Sequence, residues 1–466
     1  MRLSFAPDTL RCGLFCPHGN DMRKARWLGT ITIGAALLVA GHARADIALG
    51  DMTARVDAAT PKVVAWRRDI HAHPELGNRE TRTAALVAAH LRRLGMEVRT
   101  NVAATGVVAV LRGGRAGPVV ALRAELDALP VQEQTGLPFA STVQTTYDGQ
   151  QTYVAHVCGH DMHIAMLMGA AEVLAGMRAD LPGTVVFVFQ PAEEGPPAGE
   201  EGGADRMIAE RAFDDPAPSA IFGVHVVPGP PGTISYRPGG AQAGADEIQI
   251  ALHGRGTHGA WPWEGVDVIS LSSAIVSEFN TLAARTVDVT KTPTVLSITT
   301  IQAGNRSNII PTDIKMAGTL RTFDEAQRKA MMQRIETTVR NLAAIYGATA
   351  QVQFANPAAI TINDPALAAW ALPALTEAAG QGKVDPAAAP TMAADDFASY
   401  RKLFPGLLVD LGISADGADP ATTPPNHSPR FDPNEAVLPL GVRAYVLFTV
   451  RYLESGGAPT RTSAAR

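Results

Sequence analysis

Gly183-Thr184-Val185-Val186-Phe187-Val188-Phe189-Gln190-Pro191-Ala192-Glu193-Glu194 is a run of β-branched and aromatic residues closed by a proline turn and two carboxylates. A strand with one wet face alternates apolar with polar residues, whereas an unbroken apolar run is buried on both faces. Ile221-Phe222-Gly223-Val224-His225-Val226-Val227 repeats the pattern. Val107–Leu111 and Val119–Leu122 are shorter runs bounded by Gly113-Gly114 and Gly117-Pro118. Two amphipathic stretches between Asp51 and Leu94, broken at His73-Pro74, and residues 161–178 read as helices. Buried strands alternating with helices predict an α/β fold with a mostly parallel sheet.

The texture changes after Pro228-Gly229-Pro230-Pro231-Gly232. Ile248, Ile250 and Leu252 alternate with polar residues. From there the order reads β-α-β-β-α-β, with helices near 266–285 and 324–346, as in a ferredoxin-like α+β domain with one covered face. Beyond Asn363 the chain returns to helix and to an apolar strand, Leu407–Leu411, before a final helix from about Pro433 to Leu453. The expected organisation is one α/β domain built from residues 46–241 and 356–456. Residues 242–355 are inserted into it, and 457–466 form a disordered tail.

The 466 residues are 46% hydrophobic and 18% charged, with a formal charge of −5. That composition excludes a largely disordered chain and lacks the basic footprint of a nucleic-acid binder. Arg23, Lys24 and Arg26 precede an uncharged run from Leu28 to Ala40 and then Ala43-Arg44-Ala45. This reads as a signal peptide cleaved after Ala45, because the run falls short of the ~20 apolar residues that span a bilayer. Residues 1–21 then precede the natural start, Met22, as a start-site extension. No later stretch is expected to be long and apolar enough to span a bilayer. The expected location is periplasmic or secreted. Of the three cysteines only Cys158 would remain, and a lone exported thiol needs burial or a bound partner.

Four segments carry ligand-type side chains at strand ends or in loops: His156-Val157-Cys158-Gly159-His160-Asp161-Met162-His163, Gln190-Pro191-Ala192-Glu193-Glu194-Gly195, Gly223-Val224-His225, and Pro425-Asn426-His427-Ser428-Pro429. Thiolate and imidazole suit zinc, and zinc-bound water ionises near neutral pH. Of two adjacent glutamates, one can hold a metal while the other takes a proton. His71, His90 and His253 are read as hydrogen-bonded polar residues.

These segments, with Ala121-Leu122-Arg123-Ala124-Glu125-Leu126-Asp127-Ala128-Leu129-Pro130 and His427-Ser428-Pro429-Arg430-Phe431, resemble the dinuclear-metal amidohydrolases. That family includes hippurate, N-acyl-amino-acid and auxin-conjugate hydrolases, related to aminoacylases. The resemblance runs from about Val63 to Tyr452. It implies a catalytic α/β domain and an inserted lid and dimerisation domain. Two divalent ions are implied, zinc foremost, with manganese, cobalt or nickel as alternatives. Cys158 would bridge them, His160 and His225 completing one site and Glu194 and His427 the other. Glu193 would be the general base, Asp127 an orienting carboxylate, and Asp161 and His163 motif members without a ligand role. In the insert, His258 of Gly256-Thr257-His258-Gly259-Ala260 would polarise the scissile carbonyl, often in a partner subunit's site. Asn308 of Asn305–Pro311 and Arg321 would bind substrate. The implied substrate is an N-acyl amino acid or short peptide, and the implied assembly a homodimer or homotetramer. Nucleic acid is not expected as a partner, nor a membrane after processing. Where the family usually has aspartate, this chain has Glu125.

A metallo-carboxypeptidase or dipeptidase on the same site is the alternative, and a non-catalytic metal-dependent binding protein a more distant one. Gly254-Arg255-Gly256-Thr257-His258-Gly259 formally matches a dinucleotide fingerprint, but Trp261-Pro262-Trp263 stands where that motif needs a helix to continue. A Cys158–His160 nucleophilic pair would leave both glutamates, His225 and His427 without a role.

Overall fold

The structure, a computed structural model, describes residues 47–458 apart from Asp148, Thr290 and Lys291, and leaves the side chains of Asn356 and Pro357 undescribed. The leader, its cleavage point and all of the tail beyond Ala458 lie outside the described residues.

The chain opens with α1 (Leu49–Ala72) and α2 (Thr81–Arg93), separated at His73-Pro74 because the residue before a proline is driven out of the helical region. Then come β1 (Glu97–Val102), β2 (Gly106–Arg112), β3 (Arg115–Glu125), a hairpin of β4 (Gln144–Tyr147) and β5 (Gln150–Tyr153), α3 (His160–Gly176), β6 (Pro182–Gln190), α4 (Gly203–Ala209), β7 (Ile221–Val227), β8 (Ile234–Ser235) and β9 (Gly239–Gln242). The inserted unit holds β10 (Gly244–His253), β11 (Thr257–His258), α5 (Val268–Thr286), β12 (Thr294–Ala303), β13 (Ile309–Ile310), β14 (Asp313–Thr322), α6 (Glu325–Tyr346) and β15 (Thr349–Ala358). The chain returns through β16 (Thr361–Asn363), α7 (Pro365–Ala379), β17 (Val384–Asp385), β18 (Gly406–Gly412) and α8 (Leu438–Glu454).

The large sheet has the order β1-β2-β6-β3-β7-β18-β8-β17, parallel through its centre from β6 to β18 and antiparallel toward the β1 edge. On β6, Val185, Phe187 and Phe189 enter the core beneath α1, α3 and α8, while Val186 and Val188 enter a second core with Phe397 and Tyr400. Both faces are dry, which is why the run is unbroken.

The smaller sheet, β12-β14-β10-β15, is wholly antiparallel. Ile248, Ile250 and Leu252 face α5 and α6, while Gln249 and His253 face outward. The α/β fold with a ferredoxin-like insert is as expected. β9 and β16 pair where the chain enters and leaves this unit.

Three expectations need correction. β15 runs on to Ala358, past the expected limit at 355. The last α-helix starts at Leu438, after a 3₁₀ turn over Glu435–Val437, and not at Pro433. The stretch Glu435–Glu454 is also long and apolar enough to cross a bilayer, but 78% of its most apolar 18-residue window is buried inside the protein. Its apolarity comes from packing against the sheet and α3.

Candidate active site

Three strands of the large sheet deliver the site at their carboxyl ends, where α/β sheets place ligands. β3 leads to Asp127, β6 to Glu193 and Glu194, and β7 carries His225. α3 begins at His160, preceded by Cys158 and Gly159. Gly159 is left-handed at φ 94°, and a Cβ there would lie 2.2 Å from Val226 Cγ2, so only glycine fits between the two ligands. His427 reaches the site because its N–H donates to Val157 O at 2.7 Å. Asn426 Nδ2 donates to Cys158 O and Val226 O, each at 2.9 Å. Ala192 and His427 sit at φ 51° and 68°, backbone strain concentrated at the site.

The ligand atoms of Cys158, His160 and His225 lie within 4.8 Å of one another, and so do those of Cys158, Glu194 and His427. The sulfur is common to both sets. His160 spends Nδ1 on Asp127 O at 2.8 Å, leaving Nε2 buried without a partner. His225 Nε2 is 3.6 Å from Cys158 Sγ. Glu194 Oε1 lies 3.0 Å from His427 Nε2, yet it has no partner in hydrogen-bonding geometry. Buried polar atoms left unpaired around one point, with donors of sulfur, nitrogen and oxygen, fit a pair of divalent cations.

The electrostatics favour cations as well. Burial and the charges of Glu194 and Glu193 push the Cys158 thiol well above its usual value, and a bound cation reverses that. His160 rises to about 10: burial opposes its charge, but Asp127, Glu125 and Glu194 outweigh it. His225 falls to about 3 through burial and His163, so it stays a neutral imidazole able to bind metal. Burial, Asp395, Glu194 and Asp396 push Glu193 well above the carboxylate range against the pull of Arg123. Burial also opposes ionisation of Glu194, but His427 and His160 hold it below that range.

His163 donates from Nδ1 to Glu125 Oε2 at 2.8 Å and accepts the Val226 N–H at Nε2 at 2.9 Å. Both nitrogens are engaged, so it ties β3 to β7. Glu125 meets Arg123 with its other oxygen. Arg123, fully buried, also pairs with Asp395 and Asp396 at 3.0 Å each. Asp161 accepts from Arg67 at 2.8 Å and pairs with His71 at 2.9 Å, fastening the first turn of α3 to α1. His71, His90 and His253 are hydrogen-bonded, as expected.

Cys158, Glu193, Glu194, His225 and His427 line a cavity of about 480 Å³ that Arg321 of β14 also lines. His258 and Asn308 line no part of it. They lie on the β11–β13 ribbon, exposed, where Gly259 N donates to Asn308 O at 2.8 Å. The sequence reading passed over Asp395, Asp410 and Asn426, which line the cavity as well. The available signals were an adjacent acid pair, Asp395-Asp396, and one acid inside the apolar β18.

Residues 121–451 match the model of peptidase family M20/M25/M40. The chain belongs to that family. A Saccharolobus solfataricus protein named thermostable carboxypeptidase 1 is 36% identical over 84% of this chain and 95% of its own length. N-acetylcysteine deacetylase of Bacillus subtilis is 34% identical over 84% of this chain and 97% of its own. A solved Bacillus subtilis structure, described as a dinuclear metal binding peptidase of the M20 family, superposes with a TM-score of 0.70 at 33% identity, covering 85% of this chain and 99% of that one. Like its family, this M20 protein is a metal-dependent hydrolase of amide or peptide bonds.

Proposed function

We propose that this enzyme hydrolyses the amide bond of N-acyl amino acids or short peptides that end in a free carboxylate. The observation that carries this reading is Arg321, which lines the same cavity as Cys158, His225, Glu194 and His427, members of both ligand sets. A guanidinium is suited to a carboxylate, and its fork binds one bidentately. Cys158, His160 and His225 would hold one ion and Cys158, Glu194 and His427 the other. Zinc is favoured because thiolate and imidazole are its usual donors. The ions supply Lewis acidity and a water ionised near neutral pH.

Glu193, with its affinity for a proton raised, takes one from the attacking water and returns it to the leaving amine. Asp127 holds the Glu194 backbone and His160 in place. His258 and Asn308, outside this chain's cavity, would serve the cavity of a second copy in a homodimer or homotetramer. Export, from the leader before Asp46, would place the reaction in the periplasm or outside the cell.

A peptidase reading, favoured by the name of the Saccharolobus relative, shares this chemistry and differs in the acyl part. The test is a hydrolysis panel of N-acetyl and N-benzoyl amino acids, dipeptides and the corresponding C-terminal amides, with zinc or manganese. Substrates with a free carboxylate are cleaved and their amides are not. Equal cleavage of acids and amides removes the role of Arg321.

A further inference from the structure

β18 reads Gly406-Leu407-Leu408-Val409-Asp410-Leu411-Gly412, and Asp410 is both its one charged residue and the one position along it that is not fully buried. Leu407, Val409 and Leu411 pack into the core beneath the helices, so Asp410 points to the opposite face. There it lines the catalytic cavity with His225, Glu193, Asp395 and Arg321. Its register partner on β7 is His225. Parallel neighbours lie ~4.8 Å apart and direct their side chains to one face, so the carboxylate stands one strand from a metal-site histidine.

Asp410 belongs to neither ligand set. Among the described residues its side chain makes no hydrogen bond or ion pair, although Arg237 and Gln242 line a second, small cavity with it; burial and the like charge of Asp395 act on it. Asp395 is itself held by Arg123 at 3.0 Å and by the Phe397 N–H at 2.7 Å. Arg321, the other cation of the cavity wall, sits on the inserted unit. A carboxylate turned into a cavity with no internal partner is costly to the extent that it is withdrawn from water, unless a ligand supplies one. The remaining walls are the apolar Val227, Pro228, Met392, Ala393 and Ala394 and the neutral polar Gln242, Thr391 and Asn426, none of which brings a charge.

We propose that Asp410 pairs with a positively charged nitrogen on the acyl side of the substrate, so that the favoured substrates are aminoacyl amino acids with an ammonium close to the scissile carbonyl. This rests on the proposed function and narrows its acyl group. Arg321 takes the carboxylate at one end, and Asp410 takes the ammonium at the other.

Glycyl-leucine is N-acetyl-leucine with an ammonium in place of one hydrogen, so the pair isolates the charge. N-acetyl-lysine against N-acetyl-norleucine places the ammonium on the leaving side. With the zinc- or manganese-loaded enzyme, kcat/KM for glycyl-leucine should exceed that for N-acetyl-leucine by at least about tenfold, the scale of one charge-assisted hydrogen bond. Asp410→Asn should lower that ratio about tenfold and leave the lysine to norleucine ratio where it was. Asp410→Glu, which keeps the charge, should retain the preference. Equal metal content and an unchanged circular dichroism spectrum show that each variant is folded. An Asp410→Asn enzyme with the wild-type glycyl to acetyl ratio overturns the proposal, as does a shift confined to the lysine pair. If wild type cleaves none of the four substrates, the proposed function itself fails and takes this inference with it.

Discussion

Asp127 Oδ2 accepts the backbone N–H of Glu194 at 2.9 Å, while the same residue's carbonyl accepts His160 Nδ1 at 2.8 Å. One residue at the end of β3 therefore orients a ligand from each of the two sets. Asp127→Ala removes the first contact and the carboxylate beside His160. Divalent-metal affinity should fall ~10–100-fold, the usual effect of losing a group that orients a ligand. Competition with a chromophoric chelator measures it, and wild-type affinity in the variant would show that Asp127 merely caps a strand.

Glu193→Gln keeps the shape of the side chain and removes its proton affinity. Turnover should fall by ~10²–10⁴, the scale of a general base, with two ions per chain retained. Metal analysis beside the rate assay separates the roles of the adjacent glutamates. Loss of an ion would make Glu193 a ligand.

Cys158 is the sulfur shared by both ligand sets. A coordinated thiolate is shielded, whereas the metal-free thiol is open to the cavity that it lines. A small alkylating agent should therefore modify chelator-treated protein at least about tenfold faster than metal-loaded protein. Mass spectrometry of the Cys158 peptide reads the result. Equal rates would exclude the sulfur as a ligand.

His71 bridges Asp161 at 2.9 Å and Glu133 at 3.0 Å. Burial opposes its charge, but Asp161 and Glu133 prevail and raise its pKa from 6.5 to about 9. The folded state thus holds a proton that the unfolded state releases first. The stabilisation is complete below pH 6.5 and is lost as pH climbs to about 9. The gap in unfolding free energy between wild type and His71→Gln should narrow across that window, by up to ~1.4 kcal/mol per pH unit. Denaturant titrations at several pH values measure it. A constant gap would mean that His71 is neutral in the folded protein.

Much of this protein was legible in its residues because the signals are local. The unbroken run Val185–Phe189 states that both faces of its strand are dry. The alternation of Ile248, Ile250 and Leu252 states that one face is wet. The four segments holding Cys158, His160, Glu193, Glu194, His225 and His427 carry thiol, imidazole and carboxylate groups that the fold gathers into clusters within 4.8 Å. The apolar stretch Glu435–Glu454 marks the limit of such reading. Its composition fits a bilayer as well as a core, and only its packing against the sheet and α3 distinguishes the two.

What the tertiary structure alone decided is partnership across distance in the chain. Arg123 meets Asp395 and Asp396, and Glu125 meets His163, because strand order and helix docking close those gaps. Glu125, one methylene longer than aspartate, carries the carboxylate that meets His163 and Arg123. Arg321 reaches the cavity from the inserted unit, whereas His258 and Asn308, from the same unit, do not. Asp410 looked like one acid in an apolar strand. Its position beside His225 in the cavity, without a hydrogen bond or ion pair among the described residues, appears only in the packed chain. Burial and pairing are properties of the packed chain, and no local spacing encodes them.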